Sequence, residues 1–265
     1  MLTAYDYASA AYVEQAGNID ICLVGDSLAM VSCGYDSTSK LSMQEMLYHC
    51  RSVARGAKTP FLIADMPFGT YQLSVNHAVQ NALQLVQEGD MEAVKLEGGV
   101  EIADKVKRMT ELGIPVMGHV GLKPQQQVAT SGFRVQGKTA DRALRIYKDA
   151  LAIQEAGAFS IVVEAVPCRL AQFITSKLSI PTIGIGAGPS CSGQVLVQLD
   201  MLGGFDRFLP RFCKRYLDLN QLASSSIREY ADEVRRGVFP EEETHSYPIQ
   251  DEEWEAFLAR VADQK

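Results

Sequence analysis

Six times along the chain an apolar run of strand length follows a helix-like segment, and four of those runs finish at an acidic residue. Ile21-Cys22-Leu23-Val24-Gly25 ends at Asp26, and Phe61-Leu62-Ile63-Ala64 ends at Asp65. Val94-Lys95-Leu96 ends at Glu97, and Ser160-Ile161-Val162-Val163 ends at Glu164. Carboxylates at the C-terminal ends of successive parallel strands converge on one place, the catalytic face of a (β/α)8 barrel. Crowded at a barrel mouth, such acids need a cation or a shared proton. The pattern predicts a metal-dependent enzyme.

The helices between these runs are legible from their caps. Ser42-Met43-Gln44-Glu45 is a capping box, followed by Met46, Leu47, Cys50, Val53 and Ala54 on one face and closed by Gly56. Ser74 caps a helix carrying Val75, Ala78, Val79, Ala82 and Val86, stopped at Gly89. Further stripes run through Ile102, Val106, Met109 and Leu112, through Leu144, Tyr147, Ala150, Leu151 and Ala152, and through Leu170, Phe173, Ile174 and Leu178. The unit is helix, turn, strand, loop, and right-handed crossovers close such a series into one sheet. Strands are expected at residues 2–5, 21–24, 61–64, 93–96, 116–119, 160–163 and 182–185, with an eighth near 205–212. The fold class is α/β, a single (β/α)8 TIM barrel over residues 1–240. Residues 241–265 form an acidic segment and a short amphipathic helix with Trp254, Phe257, Leu258 and Val261 on one face, expected to pack on the barrel or on a neighbouring subunit.

Composition narrows the function. A chain of 265 residues with 47% hydrophobic residues can build one large barrel core. The net charge of -7, with no Lys/Arg run, excludes nucleic acid or an anionic membrane as the main partner. No apolar stretch of about 18 residues spans a bilayer. The six cysteines are scattered without a C-x-x-C pair and read as reduced thiols in an intracellular, reducing compartment, cytoplasm or mitochondrial matrix. Strand-like residues follow Met1 at once, so either the chain opens on its first barrel strand or a segment precedes it.

Lys95 and Glu97 lie two apart on one strand, so both point into the barrel while Val94 and Leu96 face the helices. An inward lysine among carboxylates is an ion-pair partner, a binder of an anionic substrate, or a Schiff-base nucleophile. Asp26 and Asp65, from adjacent strands, suit a hard divalent ion that keeps several waters, as magnesium does. Each alone could instead cap the loop that follows it; four acids in register are not explained that way. His49 and His77 belong to helices, whereas His119 ends the run Pro115-Val116-Met117-Gly118 and reaches the mouth, where a hydrogen bond to substrate is expected. Gly184-Ile185-Gly186-Ala187-Gly188 fails both phosphate-loop spacings and reads as a close backbone approach.

These strand ends sit inside an ordered set of segments: Thr3-Ala4-Tyr5-Asp6, Val24-Gly25-Asp26-Ser27-Leu28, Ala64-Asp65-Met66-Pro67-Phe68, Val94-Lys95-Leu96-Glu97-Gly98-Gly99, Gly118-His119-Val120-Gly121-Leu122, Gly132-Phe133-Arg134-Val135-Gln136-Gly137 and Gly184-Ile185-Gly186-Ala187-Gly188. Together, over most of the chain, they resemble the ketopantoate hydroxymethyltransferases. The resemblance implies a phosphoenolpyruvate/pyruvate-type barrel that assembles as a homo-oligomer, commonly a decamer. It implies transfer of a one-carbon unit from 5,10-methylenetetrahydrofolate to 3-methyl-2-oxobutanoate, giving 2-dehydropantoate for pantothenate synthesis. By the same resemblance Asp26 and Asp65 hold Mg2+ with Glu97 in or beside the shell, Ser27 and Lys95 bind the keto acid's carboxylate end, and Glu164 accepts the proton. A 2-oxo acid chelates a metal through its ketone and carboxylate oxygens, and the metal then stabilises the developing enolate. Three departures stand out: Ala29 replaces a usual glycine, Gln198 stands where histidine often precedes Asp200, and residues that usually precede the Thr-Ala-Tyr-Asp segment are absent ahead of it. Rival readings are another carbon–carbon bond enzyme of the same barrel, whose Lys-Lys-Cys-Gly-His style loop is missing here, a metal-free Schiff-base aldolase, and an inactive barrel with a binding or scaffold role.

Overall fold

A computed structural model describes residues 1–126, 134–207 and 210–264. Eight strands pair in parallel in chain order: β1 Leu2–Thr3, β2 Ile21–Val24, β3 Phe61–Asp65, β4 Ala93–Glu97, β5 Val116–Gly121, β6 Ser160–Glu164, β7 Thr182–Ile185 and β8 Gly193–Gln194. A parallel bridge between Leu2 and Leu196 joins the two edges of the sheet. Thr3 N–H donates to Leu196 O at 3.3 Å, and the Met1 amino group donates to Gln194 O at 3.1 Å. The helices on the outside are α1 Tyr7–Ala16, α2 Leu28–Val31, α3 Met43–Gly56, α4 Val75–Gln87, α5 Ala103–Glu111, α6 Ala140–Glu155, α7 Cys168–Lys177 and α8 Gln198–Met201.

The period-two alternation of the strands sorts their side chains into two cores. Leu23, Ile63, Ala93, Met117, Val162, Ile183 and Val195 pack together inside the barrel. Their neighbours in sequence, such as Cys22, Val24, Leu62, Ala64, Val94 and Leu96, belong to the shell between sheet and helices. Inside β4 the order is therefore Ala93 in, Val94 out, Lys95 in, Leu96 out, Glu97 in. Each polar inward residue stands above an apolar plug, which is why the charged groups collect at one end.

The expected caps are present. Ser42 and Glu45 form the reciprocal capping box of α3, and Ser74 accepts from His77 N–H at the start of α4. Ala29 is fully buried within α2. All six cysteines are free thiols. Among the described residues no helix is long and apolar enough to cross a membrane.

The eighth strand is not near 205–212. It is Gly193–Gln194, paired through Ile183↔Gly193 and Gly184↔Gln194. The link 186–192 carries turns and no helix, so β8 follows β7 without the helix that the repeating unit would place between them. Of the expected segment, Phe208 and Leu209 lie outside the described residues, and the rest is irregular. The buried face of α6 also differs from the expected stripe: Ile146, Ala150 and Ile153 are buried, at helical i, i+4, i+7 spacing, while Leu144 is half exposed.

The chain forms two compact units, Met1–Leu217 and Asp218–Lys265. The first ends ahead of the boundary expected near residue 240. The second contains α9 Leu219–Arg236, capped by Asp218 and ended by Gly237, followed by α10 Glu242–His245 and α11 Asp251–Ala262. On α11, Trp254 stacks on Phe257 with ring centroids 5.3 Å apart.

Strand β5 runs so close to α6 that a Cβ at Gly118 would collide with Ile153 Cγ2. Both partners are buried, so the overlap has no soft outlet. Gly118→Ala is expected to destabilise the barrel by about 1–3 kcal/mol, read as a lower urea midpoint with an unchanged slope. An unchanged midpoint would mean that α6 can withdraw from the sheet freely.

Candidate active site

Register carries the acids to one level. Asp65 is the Cα partner of Lys95, Glu97 of His119, and Gly121 of Glu164. Asp26 arrives from the turn after β2, and its N–H donates to Asp65 Oδ2 at 2.9 Å. Lys95 Nζ lies 2.5 Å from Asp65 Oδ1 and 3.2 Å from His119 Nδ1. His119 Nε2 lies 3.1 Å from Glu164 Oε2. Asp26, Ser27, Asp65, Lys95, Glu97, His119 and Glu164 all line one cavity of about 350 Å³, so every residue singled out in the sequence is brought together.

The protonation pattern follows from burial. Desolvation, with Asp65 beside it, pushes Asp26 up to about 7. Desolvation pushes Glu164 up to about 8, and it raises Glu97 well above the usual carboxylate range with Asp26 adding to the effect. Burial alone would lower Lys95, but Asp65, Glu97 and Asp26 outweigh it and hold the ammonium charged. An ammonium so held has no lone pair for Schiff-base chemistry. Burial and the Lys95 charge hold His119 well below its usual value, so it is neutral. Because an ammonium can only donate, His119 Nδ1 accepts from Lys95 and the ring hydrogen sits on Nε2, a buried donor with no hydrogen-bond partner among the described residues.

Four carboxylates around one ammonium can all be ionised only with a further cation; without it Asp26, Glu97 and Glu164 tend to keep protons. Among the described residues, no three His, Cys, Asp or Glu side chains already stand at metal-ligand spacing. Magnesium does not ask for three: one or two carboxylates suffice, the remaining positions being waters and substrate oxygens. Adjacent Asp26 and Asp65, all-oxygen donors at an electronegative cavity floor, fit such an ion.

Two residues in this network were not anticipated. Gln125 N–H donates to Glu97 Oε2 at 3.1 Å, and its side-chain Nε2 donates to Asp26 Oδ2 and Met66 O, each at 2.9 Å. Tyr71 OH lies 2.7 Å from Gln125 Oε1 and 3.1 Å from Glu97 O. Both are buried polar side chains outside the strands, Tyr71 in a bend and Gln125 in the 3-10 turn Pro124–Gln126, with no spacing that ties them to a strand end. The glycine segment after β7 behaves as a close approach: Gly186 has φ of 63°, and a Cβ there would lie 2.7 Å from the Phe212 ring.

A family model described as ketopantoate hydroxymethyltransferase matches residues 1–242. The 3-methyl-2-oxobutanoate hydroxymethyltransferase of Emericella nidulans is 54% identical over 263 residues, covering 98% of this chain and 75% of that protein. The enzyme of the same description from Heliobacterium modesticaldum is 52% identical, covering 95% and 91%, and one from Dehalococcoides mccartyi is 55% identical, covering 91% and 86%. Among solved structures, a phosphonopyruvate hydrolase complex with oxalate and Mg++ superposes with a TM-score of 0.58 at 17% identity, over 99% of this chain and 91% of that one. A 2,3-dimethylmalate lyase, a PEP mutase/isocitrate lyase superfamily member, gives 0.56 at 14% identity, over 100% and 92%. At these identities the structural likeness shows the barrel alone.

The raised Glu164 has a consequence for stability. Between its ordinary value of 4.5 and about 8, the folded chain keeps a proton that the unfolded chain releases. Stability therefore falls as pH rises through that window. Glu164→Gln removes this penalty, so in chelator the variant is expected to gain on the parent from about pH 5 to pH 8, by up to roughly 1.4 kcal/mol per pH unit. Urea denaturation at a series of pH values reads the difference; a flat difference would mean that Glu164 titrates like an ordinary glutamate.

Proposed function

The chain belongs to the ketopantoate hydroxymethyltransferase family, and from that premise we propose that its cavity joins a one-carbon unit from 5,10-methylenetetrahydrofolate to carbon 3 of 3-methyl-2-oxobutanoate. The products are 2-dehydropantoate, a pantothenate precursor, and tetrahydrofolate, with water supplying the new hydroxyl oxygen. The observation that carries the reading is the single cavity in which Glu164, pushed up to about 8, faces Lys95, Asp26 and Asp65.

Asp26 and Asp65 would hold Mg2+, with Glu97 beside them, and the bound ion supplies Lewis-acid polarisation of the 2-oxo group. Ser27 and the charged Lys95 bind the carboxylate end of the keto acid, with Lys95 balancing charge that builds on the ketone oxygen. Glu164 takes the proton from carbon 3. A carboxylate with a value near 8 is a far stronger base than an ordinary glutamate, which suits a weakly acidic C–H. The Nε2–H of His119, buried in the same cavity wall and unpartnered among the described residues, serves as a hydrogen-bond donor to the substrate. Carbon 3, freed of its proton, forms the new bond to the one-carbon unit, whose two bonds to folate nitrogens break; water gives its oxygen to that carbon and its two hydrogens to the nitrogens, and the carbon-3 proton ends on the new hydroxyl. The rest of the cavity, walled by Val31, Phe205 and Phe212 among others, leaves room for the second reactant. The same reading includes assembly as a homo-oligomer, a decamer, in a reducing intracellular compartment.

Proton NMR in deuterium oxide separates the first half of this reaction from the second. With Mg2+ and no folate, the carbon-3 hydrogen of 3-methyl-2-oxobutanoate is expected to exchange, and to stop exchanging in chelator. Glu164→Gln is expected to lower the exchange rate about 10²–10⁴-fold while leaving keto-acid binding intact. Because the base must be ionised, the parent rate should rise with pH and then level. No exchange by the folded parent would favour the inactive-barrel reading, and near-normal exchange in Glu164→Gln would remove Glu164 from its role.

A further inference from the structure

We infer that Gln125 is a positioning residue for the cation-binding carboxylates, and that Tyr71 holds its side-chain amide in the working orientation. The inference rests on the reading above that Asp26 and Glu97 hold or flank a divalent cation.

Gln125 lies beyond β5, yet its donors reach the ends of β2 and β4 and the backbone just past β3. Its backbone N–H goes to Glu97 Oε2, and the two hydrogens of its amide go to Asp26 Oδ2 and Met66 O. A peptide carbonyl only accepts, so Met66 O fixes the nitrogen end of the amide. The oxygen end meets the Tyr71 hydroxyl, which is itself fully buried. The orientation is thus set from both ends, and turning the amide over would place Oε1 against a carbonyl and a carboxylate.

What this leaves open matters for binding. Asp26 Oδ2 and Glu97 Oε2 are engaged by Gln125, and Asp65, which accepts from Asp26 N–H through Oδ2 and pairs with Lys95 through Oδ1, would reach the ion through a remaining lone pair. Among the described residues, Asp26 Oδ1 accepts no hydrogen bond, and Glu97 Oε1 comes no nearer to His119 Nδ1 than 3.8 Å. A neutral amide suits the task. Lysine here would neutralise the acids, and glutamate would add a fifth carboxylate and remove the donors. Partners of this kind that orient ligands typically change metal affinity 10–100-fold when removed.

The test is manganese(II) binding to the full chain, followed by loss of the free-ion electron paramagnetic resonance signal with no keto acid present. Gln125→Met is expected to raise the Kd about tenfold or more, and Tyr71→Phe to raise it by a smaller factor. The double variant should bind no more weakly than Gln125→Met alone, because both changes break one chain of contacts. Circular dichroism melting checks that each protein is folded at the titration temperature. Should Gln125→Met not fold, Tyr71→Phe, which loses a single oxygen, carries the test. A Kd within twofold of the parent in a folded variant overturns the inference, since a merely structural staple would lower the melting temperature without touching the ion. Effects of the two substitutions that simply multiply overturn the part given to Tyr71. A parent that binds no manganese sinks the cation reading and this inference together, whereas equal binding by parent and variants sinks this inference alone.

Discussion

One buried ammonium sets the terms for the whole barrel mouth. Lys95 Nζ touches Asp65 at 2.5 Å and His119 at 3.2 Å, with Asp26 and Glu97 close enough to keep it charged. Without that charge, the acids at the ends of β2, β3, β4 and β6 would face one another with no buried ammonium between them among the described residues. With it, the network has a direction. Lys95 donates to His119, which fixes the ring tautomer and leaves the N–H on Nε2, 3.1 Å from Glu164 Oε2 but without a hydrogen-bond partner among the described residues. A residue in the middle of β4 thereby sets which ring atom of His119 stands protonated beside the acid at the end of β6, although the two strands are separated by β5.

The compensation is partial, and that incompleteness is the chemical resource. Asp26, Glu97 and Glu164 are all shifted upward, so protons or a cation must make up the remainder. The same arrangement opposes stability, since charges withdrawn from water are expensive even when paired. Two apolar layers offset this: the plug of Leu23, Ile63, Ala93, Met117, Val162, Ile183 and Val195 beneath the site, and the larger shell around it. The plug also supplies the low-dielectric floor that raises the carboxylates. Stability and acidity here come from the same packing.

Much of this was readable in advance because strands obey a strict period. Residues 93–97 alternate so regularly that Lys95 and Glu97 had to share a face, and Asp65 and Glu164 close runs of the same kind. Ser42 with Glu45, and Ser74, announce helix starts through hydrogen bonds made within one turn, so they too are local. Other parts rest on contacts between distant segments. Strand β8 has only two residues and no helix before it, and its identity comes from pairing with Ile183 and Gly184 rather than from its own composition. Gln125 and Tyr71 look like ordinary loop residues, and no spacing links Tyr71 to a residue 54 positions later. On α6 the choice between Leu144 and Ile146 depended on which way the helix was turned, and both stripes are apolar.

A division of labour between strand and loop follows from these contrasts. Strands deliver the acids, because a hydrogen-bonded barrel fixes the Cα positions to which carboxylates are attached. It does not fix the carboxylates themselves, which still rotate about their side-chain bonds. Fixing those takes donors that arrive from the side, and in a parallel barrel the only backbone beside the mouth is loop. The segment carrying Tyr71, after β3, and the segment carrying Gln125, after β5, meet over the acids between them and hydrogen-bond to each other before they bond to the site. At Tyr71 and Gln125 the two segments are braced against each other. Loop exchange on such a barrel is thus constrained at these two positions, where replacing one partner without the other leaves a buried polar atom unpaired next to the charged centre.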